Sequence, residues 1–367
     1  MANLEVTVSG IRFRNPVLTA AGPNVLNAHM MLKAVEGGVG GVVSKTVSVK
    51  PARDRRPTIR RAVCRSMMNA ETWAEGPVER FLEYYHEVKK TGIPLIVSLG
   101  YTPEDLKTLG PLIEREAQPD GFEFSTHYLG KDVEPLVETA KALRYSVEAP
   151  IWMKISPNFP DVQEVARRVA PYVDGFVATN SFGPVLDFDP ENLEPRLGSS
   201  YGQGWLSGPA ILPISLRVVY EVVSVQTKPV IGVGGIERGT DAIKYLMVGA
   251  SAVGVCTAAL KHGPGVYGKI AQEINDWLDR HGYRSVEEVR NLYRQKLQER
   301  HVYEGIPVMT VDDNLCTGCT ACIRNCVENA LYMQGDKARV IEDLCIGCGY
   351  CMDFCPEGAL ILKERQG

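Results

Sequence analysis

Eight of the ten cysteines stand near the C-terminal end of the chain, in two copies of one spacing. The first run is Cys316, Cys319, Cys322 and Cys326. The second is Cys345, Cys348, Cys351 and Cys355, followed by Pro356. Each reads C-x-x-C-x-x-C-x-x-x-C. Three thiolates on one short loop reach one [4Fe–4S] cube, and in this spacing the fourth thiolate of each run ligates the other cube. The expected sets are Cys316, Cys319, Cys322 and Cys355 for one cluster, and Cys345, Cys348, Cys351 and Cys326 for the other. Zinc is the alternative, but zinc sites usually draw their ligands as two pairs, and two triplets with trailing cysteines fit that poorly. Val327 stands where proline would commonly follow the first run, a change that shapes the loop and leaves ligation intact. A disulfide framework is disfavoured, because the rest of the chain holds only Cys64 and Cys256. Two clusters move electrons singly, so the remaining chain is expected to hold a group that joins one-electron to two-electron chemistry.

A second set of polar residues ends short apolar segments. Gly232-Val233-Gly234-Gly235 closes one, and Cys256-Thr257 closes the next. Glycines let backbone N–H groups approach phosphate oxygens; the same sequence also suits a plain tight turn. Lys45 and Lys154 close two others. A lysine directed into a protein interior requires a compensating charge. Lys154 therefore reads either as an ion pair with a carboxylate such as Glu123 or as a cation beside the N1 edge of a flavin, where it favours the reduced anion. A flavin is the usual converter beside clusters, which makes FMN the expected cofactor over a sugar phosphate or pyridoxal phosphate. Glu123 and Ser125 share one face of their segment, and Thr126 and His127 open the loop beyond it. Asn180 and Ser181 follow another segment, and Asn69 lies in a long connection.

The elements that must position these residues repeat. Strands are expected at Pro16–Ala20, Gly41–Lys45, Pro94–Leu99, Asp120–Ser125, Pro150–Ser156, Asp174–Asn180, Pro229–Val233 and Ala252–Cys256. Helical patterns follow most of them, as at Lys131–Val147, Asp161–Tyr172, Arg238–Val248 and Val266–Arg280. Eight strand–helix units in about 250 residues predict an α/β fold, a closed (β/α)8 TIM barrel whose site lies at the C-terminal ends of its strands. A doubly wound sheet would open with G-x-G-x-x-G after the first strand, and none is there. Residues Leu4 to Val17 read as a hairpin about Ser9-Gly10 that plugs the barrel bottom. Two insertions, Thr46–Gly76 and Ser181–Gly208, follow the second and sixth strands; the Gly, Ser and Pro of the second suit a mobile lid. The domain expectation is a barrel over 1–284, a helical linker over 285–308 with a polar helix from Ser285 to Arg300, and a ferredoxin-like domain over 309–367.

Composition bounds the rest. A net charge of −4 and 45% hydrophobic residues give no sign of nucleic-acid binding and support a sizeable core. No apolar run reaches membrane-spanning length. Met1 to Gly10 lacks a basic and an apolar region. The chain is expected to be cytoplasmic, without membrane attachment.

These strand ends resemble the dihydroorotate dehydrogenase class of flavin enzymes, and most closely the pyrimidine-reducing half of dihydropyrimidine dehydrogenase. The pieces are Ala20-Ala21-Gly22, Ser44-Lys45-Thr46, Asn69-Ala70-Glu71, Lys154 with Ser156-Pro157-Asn158, Thr179-Asn180, Ser207-Gly208-Pro209, Gly234-Gly235-Ile236 and Val255-Cys256, with the two-cluster module at the C-terminus. The resemblance implies FMN contacts at Ala21, Lys45, Thr46, Lys154, Gly208, Gly234, Gly235, Cys256 and Thr257. It implies substrate contacts at Asn69, Glu123, Ser125, Asn180 and Ser181. In the pyrimidine reductases the fourth strand ends Asn-x-Ser-Cys-Pro-His and the cysteine transfers the proton. Here Glu123 replaces the asparagine and Thr126 the cysteine, with His127 beside it, so Thr126 and His127 become the candidate proton-transfer pair.

The expected activity is reduction, or reverse oxidation, of a C=C bond in a small cyclic substrate, with electrons reaching FMN through two [4Fe–4S] clusters. The chain has no dinucleotide fingerprint, so an NAD(P)H-oxidising FAD subunit or a soluble ferredoxin is expected as partner, in a homodimer or hetero-oligomer. The alternative is an electron-transfer subunit whose barrel keeps FMN without its own substrate chemistry.

Overall fold

The computed structural model describes residues 2–125, 130 and 132–365. The chain divides into two compact units, Met1–Lys296 and Leu297–Gly367.

The first unit is a parallel barrel. Its strands are β1 (Val17–Thr19), β2 (Val42–Val43), β3 (Leu95–Leu99), β4 (Gly121–Ser125), β5 (Ile151–Ile155), β6 (Gly175–Ala178), β7 (Val230–Val233) and β8 (Ala252–Val255). They pair in the order β1-β8-β7-β6-β5-β4-β3-β2, and a parallel bridge from Leu18 to Gly41 joins β1 back to β2. All eight expected strands are present. Each is followed by helix on the outside: α1 (Ala28–Glu36), α2 (Val78–Lys89), α3 (Pro103–Ala117), α4 (Glu134–Arg144), α5 (Val162–Val169), α6 (Leu212–Val225), α7 (Gly239–Val248), α8 (Thr257–His262) and α9 (Val266–Arg280).

Local chemistry explains these boundaries. Asn27, Thr102 and Asp161 accept backbone N–H bonds at the starts of α1, α3 and α5, which satisfies donors that a helix end leaves free. In α5, Val162, Val165, Ala166 and Val169 are buried; that i, i+3, i+4, i+7 stripe is the face a helix lays on a sheet. Along β4, Phe122 and Phe124 have no exposure and pack outward under the helices, while Glu123 and Ser125 take the opposite face. The core between strands and helices is largely apolar, with Tyr85, Leu95, Ile96, Phe176 and Tyr245 among its fully buried members.

The N-terminal hairpin, Val6–Val8 with Ile11–Phe13, closes the bottom. Ser9 Oγ donates to Asp174 O at 2.7 Å and accepts from Trp152 Nε1 at 2.9 Å, beside the starts of β5 and β6. The single polar helix expected from Ser285 is instead two short ones, Val286–Val289 and Leu292–Gln298. They part at Asn291, whose φ is 71° and whose N–H bonds Leu246 O. Val286 and Val289 are fully buried against the barrel unit.

The second unit carries two small antiparallel ribbons, Val308–Val311 with Leu360–Lys363 and Leu331–Gln334 with Lys337–Val340. Between them run the short helix Ala321–Arg324 and the 3-10 turn Tyr350–Phe354. Among the described residues no helix is long and apolar enough to cross a membrane.

Candidate active site

The two insertions build one structure over the barrel mouth. Ile59–Arg61 and Met67–Asn69 from the first, and Phe182–Leu186 and Gln203–Ser207 from the second, form a single four-stranded antiparallel sheet. Strands of the second insertion, where a mobile lid was expected, thus pair with strands of the first. The sheet's register sets Trp205 opposite Asn69, Ser207 opposite Met67 and Ile59 opposite Asn69. Strand alternation puts these five side chains on one face, and all five line the cavity below. Ser66 Oγ accepts from Ala210 N at 2.9 Å, tying the first insertion to the loop that leaves the second.

The cavity holds about 1270 Å³ of empty space, its mouth included, at the C-terminal ends of the strands. Ala21, Lys45, Thr46, Lys154, Gly208, Gly234, Gly235, Cys256 and Thr257 all line it, as do Asn69, Ser125, Asn180 and Ser181. Backbone bonds place the end of β6: Thr179 N reaches Val233 O at 2.8 Å and Asn180 N reaches Ile155 O at 2.9 Å, and Ser181 N reaches Asn180 Oδ1 at 2.9 Å. At the end of β7, Gly234 and Gly235 have φ of 129° and 74°. A Cβ on Gly234 would stand 2.2 Å from Ser215 Oγ, and one on Gly235 would stand 2.9 Å from Leu212 N. Only glycine meets both demands, so backbone forms this wall. Thr257 Oγ1 donates to Ser207 Oγ at 2.9 Å and fixes the neighbouring corner.

Two buried ion pairs set the electrostatics. Lys45 Nζ lies 3.0 Å from Glu71 Oε2, with Thr58 Oγ1 donating to Glu71 Oε1 at 3.3 Å. Lys154 Nζ lies 3.3 Å from Glu123 Oε1, their side chains 5% and 1% exposed. Lys154 lines the cavity, whereas Glu123 sits beneath it. The register explains the difference: Glu123 is level with Trp152, and Ser125 with Lys154, so the glutamate lies one layer deeper. Ser98 Oγ donates to the same Glu123 oxygen at 3.2 Å. Its one proton is thereby used, so in the 2.8 Å bond between Thr46 Oγ1 and Ser98 Oγ the threonine donates. Burial pushes the Cys256 thiol up to about 11 against the pull of Lys154 and Lys45, so the thiol is neutral at ordinary pH. Burial raises the Tyr101 phenol as well, and its proton goes to Thr72 O at 3.1 Å. Thr126 and His127 lie outside the described residues.

Glu71, Tyr101, Trp205 and Ser207 line the cavity although no role was expected for them. Glu71 was within reach of the sequence, two residues after Asn69. Tyr101 follows the end of β3 and Ser207 precedes Gly208 in the Ser207-Gly208-Pro209 motif, so both stood near expected positions; Trp205 depends on the pairing of distant insertions.

In the second unit, one cavity is lined by Cys316, Cys319, Cys322 and Cys355, and another by Cys326, Cys345, Cys348 and Cys351. Ala330 N donates to Cys326 Sγ and Ala359 N to Cys355 Sγ, each at 3.2 Å; Met309 N donates to Cys345 Sγ at 3.4 Å. Burial and the neighbouring cysteines push the Cys351 thiol up to about 11, and burial raises Cys322.

Fold and site define a class: a (β/α)8 barrel with a polar cavity at its strand ends, joined to a ferredoxin-like unit. The profile of the dihydroorotate dehydrogenase family matches residues 125–278, and that of the 4Fe-4S binding domain matches residues 338–361. The catalytic subunit of dihydroorotate dehydrogenase B (NAD(+)) from Pyrococcus abyssi is 33% identical over 301 residues, covering 79% of this chain and 98% of that protein. Its counterpart from Methanothermobacter thermautotrophicus is 31% identical over 299 residues, with the same coverage. The chloroplastic dihydropyrimidine dehydrogenase (NADP(+)) of Arabidopsis thaliana is 28% identical over 324 residues, covering 78% of this chain and 76% of that protein. The chain belongs to the dihydroorotate dehydrogenase family and is an oxidoreductase.

Proposed function

We propose that the barrel cavity holds FMN and that the chain reduces, or in reverse oxidises, a C=C bond of a cyclic, polarised substrate. The observation that carries this reading is the convergence on one cavity of nine flavin-contact candidates with Asn69, Ser125, Asn180 and Ser181. The donor set fits the group. A glycine wall and the Cys256-Thr257 corner offer backbone to a phosphate, and the Lys154 ammonium supplies a cation at the floor. When bound, FMN supplies hydride transfer at N5 and single-electron exchange with the clusters. Asn69, Asn180 and Ser181 orient the substrate ring, with Ser125 beside them. Thr126 or His127 moves the proton at the carbon next to the hydride carbon, so that two electrons and two protons cross the double bond. Glu123 is turned to Lys154 and gives the substrate no hydrogen bond where the pyrimidine reductases use an asparagine. Uracil and thymine are therefore expected to be poor substrates, by about tenfold to a hundredfold.

Each ring of four cysteines encloses a cavity, which suits a cube of iron and sulfide better than one tetrahedral ion. Among the described residues no group of His, Cys, Asp or Glu converges on a single-ion site. Two [4Fe–4S] clusters would pass electrons to a partner, an NAD(P)H-oxidising flavoprotein with FAD or a soluble ferredoxin. In the dihydroorotate dehydrogenase B relatives the matched chain is likewise named a catalytic subunit.

The test is anaerobic purification with assay of flavin, iron and sulfide, then reoxidation of the photoreduced protein by uracil, thymine, orotate and a panel of cyclic enones. Expected are FMN, about eight irons and eight sulfides, and rapid reoxidation by at least one panel member. A Thr126→Ala, His127→Ala double variant should slow that reoxidation by about 10²–10⁴-fold. Absence of FMN would overturn the reading, as would bound zinc without sulfide. Reoxidation by none of the panel would favour an electron-carrying barrel.

A further inference from the structure

We propose that Glu123 is a positioning residue that acts through Lys154 to hold down the reduction potential of the flavin site; this rests on the FMN reading above. Glu123 is 1% exposed and lies under the cavity floor, so it touches neither substrate nor cofactor. Its bonds form one chain: Thr46 to Ser98, Ser98 to Glu123, and Lys154 to Glu123. Both ends of that chain, Thr46 and Lys154, line the cavity.

The physical argument concerns charge placement. A lone buried ammonium facing a flavin favours the reduced anion, because the cation is strongest where water is excluded. Here the ammonium has a full negative charge at 3.3 Å, one layer deeper in the barrel. From the cavity the pair is a dipole with its positive end toward the flavin. The attraction for the reduced anion persists but is weakened. The second buried lysine is handled in the same way, by Glu71, so neither of these two cations stands unbalanced. A glutamine at 123 keeps an acceptor for Lys154 and Ser98 while removing the charge. A merely structural glutamate would instead act on folding and leave the potential unmoved.

The experiment uses the FMN-loaded, cluster-loaded chain. The flavin midpoint potential is measured by spectroelectrochemical titration at neutral pH in the wild type, Glu123→Gln, Glu123→Asp and Lys154→Met. Thermal unfolding of the FMN-stripped proteins is followed alongside. In Glu123→Gln the ratio of reduced-state to oxidised-state FMN affinity should rise about tenfold or more, equal to about 30 mV for a two-electron couple. Glu123→Asp should return most of the way to wild type. Lys154→Met should lower the ratio, because it removes the cation that the flavin faces. A ratio in Glu123→Gln that is unchanged or lower would overturn the proposal, even with unfolding altered. If Glu123→Gln does not fold, Ser98→Ala is read instead: it takes a donor from the Glu123 carboxylate and leaves its negative charge less shared, so the ratio must fall or the proposal fails. A wild-type protein without FMN would defeat the functional reading itself, a result distinct from FMN bound with an unmoved potential.

Discussion

In the barrel unit, the residues that meet at the cavity come from every part of the chain between Ala20 and Leu260. They are held in place by a large apolar core that owes nothing to a cofactor. In the cysteine unit, each group of four comes mostly from one short loop, and the packed cluster is small: Met309, Cys322, Leu331, Ala338, Cys351 and Leu360. Two of those six are themselves cysteines of the runs. The barrel is thus a scaffold that exists before its cofactor binds. The smaller unit is of a size at which burial alone rarely suffices, and metal commonly supplies the missing stabilisation. Its buried thiols, raised by burial and by one another, become thiolates when iron holds them in that form.

Three measurements would break or sharpen this contrast. The largest effect is expected from stripping iron anaerobically with a chelator. Limited proteolysis should then remove the unit beyond about Lys296 and spare the barrel, which should keep its FMN. Equal resistance of both units after stripping would end the distinction. Next is Cys326→Ser. Although Cys326 belongs to the first run, the cluster that shares a cavity with Cys345, Cys348 and Cys351 should be damaged, taking iron from about eight to about four per chain. Loss confined to the other cluster would show that the runs do not exchange their fourth ligands. The smallest effect lies in the barrel and concerns pH. The Cys256 thiol is raised by burial from 9.0 to about 11. Its neutral form is favoured in the folded state, so its stabilising contribution is complete below pH 9 and is lost as the pH rises through about 11. Melting temperatures of the FMN-free protein should fall over that interval, and Cys256→Ser should flatten the fall. An equal fall in that variant would assign it to other groups, for example the buried Tyr85 or Tyr267 phenols.

Several features were legible in the chain because they are local. The period of apolar segments marked all eight barrel strands, and Val266–Arg280 appears as one helix with the expected ends. Glycine pairs after β7 pointed to backbone at the cavity wall, and the structure shows why no side chain fits there. Net charge was less informative. It passed over Arg53, Arg55, Arg56, Arg60 and Arg61, five of the seven cations on the first insertion, which acidic residues cancel in the sum. All five are exposed, and Arg60 and Arg61 lie on an edge strand of the four-stranded sheet, where charge discourages pairing with another chain.

The sequence by itself determined whatever depends on spacing along the backbone. Thiolates with two residues between them reach one cavity because a short loop cannot carry them elsewhere, and alternation along β4 turns Glu123 and Ser125 inward wherever the strand lies. Tertiary structure decided what depends on distant segments lying side by side. Only the stagger of β4 against β5 sets Lys154 level with Ser125, and so a layer above Glu123 and within reach of its carboxylate. Only the pairing of Trp205 with Asn69, 136 residues apart, makes one wall of two insertions. Register between strands is chosen by the packing of the whole barrel, and no spacing within a single strand encodes it.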